Sequence, residues 1–304
     1  MNESHLLFIK RCMYDSINQY IDQKDLKEKV IQFIDFQAKK GFPFGELLIL
    51  HYQMFDGVKT KEIFPIAAAL ELLILSFDIL DDLEDKDSFD QPWTSDPTCS
   101  LNIATALPFI CFSVIENSIF TNKNKALSLL NRFALKSVQG QHKDLLNICS
   151  TEAEYIEMSL EKSGSLTALA CTLGTVLAKG QCPIEIETSG KYIGLIGQIN
   201  NDIKDIKEWD TKNDILNKKY SLPIIYFLNS QDNSASLVQD YYQNKVQQEI
   251  IIQNKTEISR KMIETGAIIY TEVIKKVYRN KVMDVLKCLK IDPLYIDQLL
   301  KTID

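Results

Sequence analysis

Two short acidic runs, 120 residues apart, constrain this chain more than any other feature of its sequence. The first is Asp81-Asp82-Leu83-Glu84-Asp85 and the second is Asn201-Asp202-Ile203-Lys204-Asp205. In each run, oxygen-bearing side chains stand at positions i and i+4, so they share one face if the segment is helical. Carboxylates crowded against an apolar wall repel one another and lose hydration unless a cation compensates them. Two such clusters facing each other would hold hard, oxygen-seeking cations, most simply Mg²⁺ bridging to a diphosphate.

Helical periodicity dominates the rest of the chain. Apolar residues recur at spacings of three and four in the segments 4–21, 25–38, 101–120, 125–148, 184–209 and 256–289. The apolar stretch from Ile63 to Leu80 leads into the first acidic run, with Pro65 suited to a first helical turn. Glu71 and Asp78 interrupt this stretch, which favours a helix in the core of a bundle over a membrane span.

The sequence indicates a single domain with one kind of secondary structure. Strand signals are almost absent, and no linker separates two compositions. We therefore predict an all-α fold, a single helical bundle that covers residues 1–304. The clearest long loop is 86–100, which directly follows the first acidic run and would lie over the mouth of any site that those acids build.

Composition excludes several kinds of function. The net charge of −7 argues against a nucleic-acid-binding protein, which would carry a basic face. Seven scattered Cys without a C-x-x-C pair indicate reduced thiols, and three dispersed His make a zinc site improbable. The N-terminal residues contain no apolar run long enough for a signal peptide. We expect a cytoplasmic protein.

Two lysines complete the candidate site. Lys162 lies in Glu161-Lys162-Ser163-Gly164-Ser165, which we interpret as a small-residue break between two helices, and Lys219 lies just before a new helix. A lone lysine usually faces solvent, and an acidic run alone is usually a solvated helix end. Point-charge lysines are, however, suitable partners for the diphosphate charge that Mg²⁺ does not balance.

Taken together, these segments resemble the trans-isoprenyl diphosphate synthase family. Asp81-Asp82-x-x-Asp85 is similar to its first aspartate-rich motif, and Lys162-Ser163-Gly164-x-Leu166 resembles K-T-[AG]-x-L. Gln198-Ile199-x-Asn201-Asp202-x-x-Asp205 resembles the second motif, Q-x-x-D-D-x-x-D. Asp214-Ile215-x-x-x-Lys219-x-Ser221-Leu222-Pro223 resembles D-L-x-x-x-K-x-T-L-P. The four motifs stand in the expected order within residues 39–228, a combination more specific than any one of them.

The resemblance implies a fold and a set of roles. The fold would be a bundle of the isoprenoid synthase type around a deep apolar cavity. Asp81 and Asp85 would bind two Mg²⁺ ions with Asp82 in support, and Asn201 and Asp205 would bind a third. The allylic diphosphate would be held by Lys162, Lys219 and Gln198. Phe77, one helical turn before Asp81, stands where aromatic residues of the family floor the cavity and limit the prenyl chain.

The sequence departs from the family where a second diphosphate would bind. The family builds that pocket from G-G-K-x-x-R near the N-terminus, a His seven residues before the first motif and an Arg pair after it. Here the first segment reads Lys39-Lys40-Gly41-Phe42-Pro43-Phe44-Gly45, and the His position is Ile74. No Arg follows Asp85 until Arg132. The motifs that would bind the allylic diphosphate are therefore kept. The pocket for a second diphosphate is missing unless Lys39 and Lys40 rebuild it.

This combination is similar to bacterial quorum-sensing isoprenyltransferases, which attach an isoprenyl group to a tryptophan of a small pheromone precursor peptide. The resemblance implies a geranyl or farnesyl diphosphate donor activated by Mg²⁺ and a tryptophan-containing peptide acceptor. It also implies that no dedicated catalytic His is needed, because the released diphosphate serves as the base.

Three alternatives stay open at this point. A short-chain polyprenyl diphosphate synthase would use isopentenyl diphosphate. A class I terpene cyclase would need N-x-x-x-[ST]-x-x-x-E, whose final Glu would fall on Trp209. A non-catalytic partner subunit would have no use for the complete first motif. A homodimer formed through the 101–120 helix is a further expectation from the family.

Overall fold

The computed structural model describes residues 3–85, 90–209 and 213–303, and within these ranges its regular structure is helical, without strands. The all-α prediction is confirmed. The helices are α1 (Glu3–Tyr20), α2 (Lys24–Gln37), α3 (Pro43–Met54), α4 (Ile63–Asp85), α5 (Pro97–Glu116), α6 (Lys123–Leu145), α7 (Glu152–Lys179), α8 (Ile184–Lys207), α9 (Leu222–Leu228), α10 (Asn233–Tyr242), α11 (Gln248–Gln253), α12 (Lys255–Glu264), α13 (Ala267–Lys287) and α14 (Pro293–Lys301).

Helix α4 is a central element of the core. It begins at Ile63 with Pro65 in its first turn, as predicted, and packs against α1, α3 and α5. Three consecutive alanines, 67–69, are fully buried and allow these neighbours close approach. Helices α4 and α5 are both long and apolar enough to cross a membrane, but most of α4 is buried by other helices, as in a bundle core. The acidic run forms its last turn, so a rigid, packed helix carries the acids.

Helix α7 runs unbroken for 28 residues through the segment that we predicted to be a break. The prediction was wrong because the small residues there serve helix packing. A Cβ on Gly164 would lie 3.0 Å from the carbonyl oxygen of Lys191 on α8, and a Cβ on Gly194 would lie 2.5 Å from that of Ser163. The two glycines let α7 and α8 cross in near backbone contact. Lys162 therefore projects from the middle of a helix.

Two other boundaries differ from the sequence pattern. The predicted 256–289 helix is two helices, because Gly266 between them takes a positive φ of 83° that ends α12. Residues 86–89 of the predicted 86–100 loop lie outside the described residues. The rest of this loop is shorter than predicted, because α5 already begins at Pro97. Asp96 caps α5 by accepting the Cys99 N–H.

Apolar packing is divided between two clusters. The larger one takes in the buried faces of α1 to α8 together with residues of α13 and α14. The smaller one joins Ile206, at the end of α8, to Ile224 and Phe227 of α9, to the buried apolar side chains of α10 to α12 and to Ala267. Residues of α3, α4, α6, α7 and α8 surround a cavity within this framework.

Candidate active site

A cavity of about 570 Å³ opens between five helices and is polar on one side and apolar on the other. The polar side carries residues from both acidic runs: Asp81, Glu84, Asp85, Asn201, Asp202 and Asp205. The apolar side is lined by Leu47, Ile74, Phe77, Leu80, Leu166, Ile193 and Ile196. The two runs, 120 residues apart in sequence, thus face one shared space.

The first acidic run meets the two lysines directly. Lys162 Nζ lies 3.0 Å from Asp81 Oδ1, and Lys219 Nζ donates to Asp85 Oδ2. The Asp85 side chain is only 5% exposed. Its pKa is raised, first by burial and then by the negative charge of Asp81, while Lys219 opposes the shift. The ammonium groups stabilise carboxylates that would otherwise repel each other at the end of an apolar helix.

Asp144 on α6 is a member of the site that the sequence did not reveal. Its Oδ2 lies 2.7 Å from Lys162 Nζ, so the lysine bridges acids from α4 and α6. Burial alone would lower the pKa of Lys162, but Asp81 and Asp144 together raise it above its ordinary value. Asp144 belongs to none of the matched motifs. The one clue to Asp144 in the sequence is its position four residues, about one helical turn, after Gly140.

Asp82 has a different position from its neighbours. It is not among the residues that line the cavity, and its Oδ2 accepts the indole N–H of Trp93 at 2.9 Å. Trp93 is 1% exposed, and its ring meets Phe33 and Phe36 edge-on at centroid distances of 5.5 and 5.3 Å. The structure thus places Asp82 where it anchors the end of α4 to the segment before α5.

The second acidic run also contains an acid with a structural contact. Asn201, Asp202 and Asp205 all line the cavity, but Asp202 is 4% exposed and its Oδ2 accepts the Tyr155 hydroxyl at 2.5 Å. Gln198 links this network to α7: its Nε2 donates to Asp202 at 3.0 Å and its Oε1 accepts the Ser163 hydroxyl at 2.7 Å. Burial raises the pKa of Asp202 to about 6.

Asp214 and Lys219 bring the fourth motif into the cavity. Burial, followed by the charge of Asp202, raises the pKa of Asp214 to about 7. The backbone N–H of Lys219 donates to the Asp214 carbonyl at 2.9 Å, which turns the chain just before α9. Burial lowers the pKa of Lys219, but Asp85 and Asp144 more than offset this and raise it.

The side-chain oxygens on the polar side of the cavity are suitable ligands for a hard divalent cation that enters bound to a phosphate-containing substrate. Within the described ranges, no three acidic, histidine or cysteine side chains lie close enough to hold a metal ion by themselves. The oxygens of Asp81, Asp85, Asn201 and Asp205 nevertheless face the same cavity. Mg²⁺ at phosphate sites typically takes one or two carboxylates, several waters and the substrate's own oxygens. An incomplete protein cage of oxygens is therefore what such an ion requires.

The corner between α2, α3 and α4 holds two of the positions at which the sequence departs from the family pattern, Lys40 and Ile74, and it is acidic. Glu71 Oε1 accepts the Gly45 N–H at 2.6 Å, and burial raises the pKa of Glu71 to about 8. Asp78 lines the cavity and accepts from Gln37 Nε2 at 2.8 Å. Burial, reinforced by the charge of Asp81, raises the pKa of Asp78 to about 7.

Lys39 and Lys40 do not enter the cavity. Both are exposed, and their ammonium groups lie 5.3 and 5.8 Å from the centre of the Phe36 ring. Among the described residues that line the cavity, the cations are Lys162 and Lys219, and both belong to the donor side. The corner thus offers a diphosphate the carboxyl group of Asp78 and, among the described residues, no cation that lines the cavity.

Comparison with known proteins gives a consistent result. Residues 44–258 match the family model described as polyprenyl synthetase. The chain is 38% identical over 285 residues to the tryptophan prenyltransferase ComQ of Bacillus subtilis subsp. natto, covering 93% of this chain and 88% of that protein. It is 35% identical to the ComQ of Bacillus spizizenii, covering 89% and 95%. A crystal structure of geranylgeranyl pyrophosphate synthase superposes with a TM-score of 0.86 at 19% identity, covering 100% of this chain and 98% of that one.

Proposed function

This chain belongs to the polyprenyl synthetase family, and from that membership we propose that it transfers a prenyl group from an allylic diphosphate to a tryptophan of a small pheromone precursor peptide. The observation that carries the proposal is the asymmetry of the cavity. One side has the acids and lysines that a metal-bound diphosphate needs, whereas the corner between α2, α3 and α4 presents the Asp78 carboxyl group and, within the described ranges, no cation that lines the cavity. An acceptor without phosphate suits that corner, and the tryptophan prenyltransferases are similar to this chain over nearly its whole length.

On the donor side, Lys162 and Lys219 would each exchange a carboxylate partner for diphosphate oxygens. Asp81 and Asp85, thus released, would hold two Mg²⁺ ions, and Asn201 with Asp205 a third. The bound metal would supply positive charge to the leaving diphosphate. Gln198, fixed between Ser163 and Asp202, would orient the second run. The chain's own contribution is positioning and electrostatic stabilisation.

The reaction balances without a further reagent. The C1–O bond of the donor breaks, and diphosphate leaves with the electron pair. Indole C3 forms the new bond to C1, and the positive charge passes to the indole nitrogen. The N1 proton then goes to the released diphosphate, which acts as the base. The apolar wall around Ile74 and Phe77 would keep water from the allylic cation.

Phe77 lines the cavity, which supports a short donor, geranyl or farnesyl. We also propose a homodimer in the cytoplasm. Helix α5 leaves Leu101 and Phe109 exposed by 47% and 68%, an apolar surface that suits a subunit contact. Polyprenyl synthesis from isopentenyl diphosphate is disfavoured by the acidic corner. A class I cyclase is disfavoured by Trp209, at the position of its terminal Glu.

The test is transfer of the prenyl group to a small tryptophan-containing precursor peptide, taken from an open reading frame next to the gene. Purified protein is incubated with Mg²⁺, that peptide and geranyl, farnesyl or geranylgeranyl diphosphate in parallel, and the peptide mass is measured. We expect a gain of one geranyl or farnesyl group on tryptophan, and none with a Trp→Phe peptide or with EDTA. Asp81→Ala and Asp85→Ala should abolish transfer while the helical circular-dichroism signal persists. A lengthened free diphosphate beside unmodified peptide would refute the proposal.

A further inference from the structure

We propose that Asp78 is the binding residue for the acceptor, with its carboxylate accepting the indole N1–H at the corner between α2, α3 and α4. The inference rests on the proposed function, since it assigns a place to the tryptophan of that reaction. It concerns a residue outside both acidic runs. Asp78 lies one turn before Asp81 on the same helix and lines the same cavity.

The placement follows from the α4 helix. Glu71, Ile74 and Asp78 are spaced i, i+3 and i+7, so they share one face, directed at the α2–α3 connection. Glu71 is buried behind this face against the Gly45 N–H, whereas Ile74 and Asp78 line the cavity. An acceptor that enters this corner therefore meets one carboxyl group beside apolar surface.

Two buried polar side chains lie behind the Asp78 carboxyl group. Gln37 Oε1 and Glu71 Oε2 are buried with no hydrogen-bond partner among the described residues, and their side chains are 7% and 1% exposed. Neither residue lines the cavity, so a ligand in this corner reaches the Asp78 carboxyl group alone. Because that carboxylate accepts hydrogen bonds and repels a phosphate, a neutral ligand with an N–H group suits it.

Asp78 is held in a fixed position. Gln37 Nε2 donates to its Oδ2 at 2.8 Å, and Gln37 stands at the last residue of α2. The nearby charges are Lys40 on the connection and Asp81, Asp82 and Glu71 on α4 itself. Lys40 lies over the Phe36 ring, so it leaves the Asp78 carboxylate open to a ligand in the cavity.

Indole chemistry matches what this corner offers. The ring is apolar except for one N–H, and Phe44, Leu47 and Ile74 line the same side of the cavity. As C3 attacks the donor, positive charge develops at N1. A carboxylate already bonded to that N–H stabilises this charge and receives the N1 proton, which then passes to the released diphosphate, so Asp78 contributes to orientation as well as to rate.

The experiment compares two acceptors in three proteins. The acceptors are the precursor peptide and the same peptide with 1-methyltryptophan, which keeps the nucleophilic C3 but has no N–H. The proteins are wild type, Asp78→Leu and Asp78→Asn. Comparing the kcat/KM ratio of the two acceptors between proteins cancels both the intrinsic reactivity of the acceptors and any general loss from altered folding.

We expect the wild type to prefer tryptophan by about ten-fold or more, because a hydrogen bond to a charged group is lost with the methylated ring. Asp78→Leu should lower this ratio about ten-fold relative to wild type, and Asp78→Asn, which keeps an acceptor oxygen, should lower it less. Hydrolysis of the donor without peptide checks that the donor side remains intact. Asp15→Leu, an exposed acid on α1, serves as the matched control.

Two results would overturn the inference, and they distinguish its failure from failure of the proposed function. If wild type modifies tryptophan and Asp78→Leu keeps the full preference for the N–H acceptor, another group binds the indole. If wild type hydrolyses the donor but modifies neither peptide, the proposed function itself is wrong and this inference with it.

Discussion

At the scale of single residues, the site is a set of exchangeable ion pairs. Lys162 bridges Asp81 and Asp144, and Lys219 pairs with Asp85, so each lysine stabilises acids that we propose to bind metal. The sequence identified both lysines through motifs. It could not identify Asp144, because this acid belongs to no motif and reaches the site only through the packing of α6 on α7.

Replacing Lys162 separates its two roles. We expect Lys162→Met to raise the donor KM at least ten-fold and to lower the free energy of unfolding by about 2 kcal/mol, because two half-buried carboxylates lose a charged hydrogen-bond partner. Steady-state kinetics and urea unfolding measure the two effects. The double variant Lys162→Met/Asp144→Leu should recover part of the stability but none of the donor affinity.

Lys191→Met is the control for this comparison. Lys191 pairs with Glu187 on the surface of α8, where such a pair contributes about 1 kcal/mol or less. If Lys162→Met binds the donor as well as wild type does, Lys162 has only a structural role.

At the scale of helices, apolar periodicity predicted which segments are helical better than it predicted where each helix begins and ends. Helices α1, α2 and α8 match the predicted segments closely, because their buried faces repeat every three to four residues. The pattern failed where backbone packing decides the outcome. Ser163 and Gly164 look like a helix break, yet they mark a crossing between α7 and α8 that local sequence cannot show.

Gly140 tests the importance of close helix packing. A Cβ at this position would lie 2.3 Å from the backbone nitrogen of Lys162, so Gly140→Ala must push α6 away from α7. We expect a loss of about 2 kcal/mol or more in unfolding free energy, in the range of overpacked cores. The longer distance from Asp144 to Lys162 should also weaken donor binding.

Gly197→Ala is the matched substitution. Gly197 also lies inside a helix, but a Cβ at this position would meet no atom within 4 Å. It should stabilise the protein by up to about 1 kcal/mol, because alanine favours the helix. Equal destabilisation by both changes would contradict the role assigned to the α6–α7 contact.

At the scale of the whole molecule, several buried carboxyl groups make stability depend on pH. The pKa of Glu71 is raised to about 8 by burial, and those of Asp78 and Asp214 to about 7. A carboxyl with a raised pKa keeps in the folded state a proton that the unfolded chain has already released. The free energy of unfolding therefore falls as the pH rises from acid values through the folded-state pKa.

We expect the unfolding free energy to decrease between pH 6.5 and pH 8, by up to about 1.4 kcal/mol per pH unit for each such group. Glu71→Gln should flatten this dependence, because the amide oxygen can still accept the Gly45 N–H without ionising. Urea unfolding at several pH values measures the slope. The exposed Glu28→Gln should leave the slope unchanged, and an unchanged slope in Glu71→Gln would show that Glu71 is ionised in the folded protein.

The enclosure of Trp93 bears on the selectivity of the proposed chemistry. A protein that generates an electrophile for indole carries an indole of its own beside the acidic end of α4. Two phenylalanine rings contact its ring and Asp82 accepts its N–H, an arrangement that would keep this indole from the electrophile of the proposed reaction. In a Trp209→Phe background the same contact makes Trp93 fluorescence a reporter of the site, since an ion that draws Asp82 away would change the environment of a buried ring.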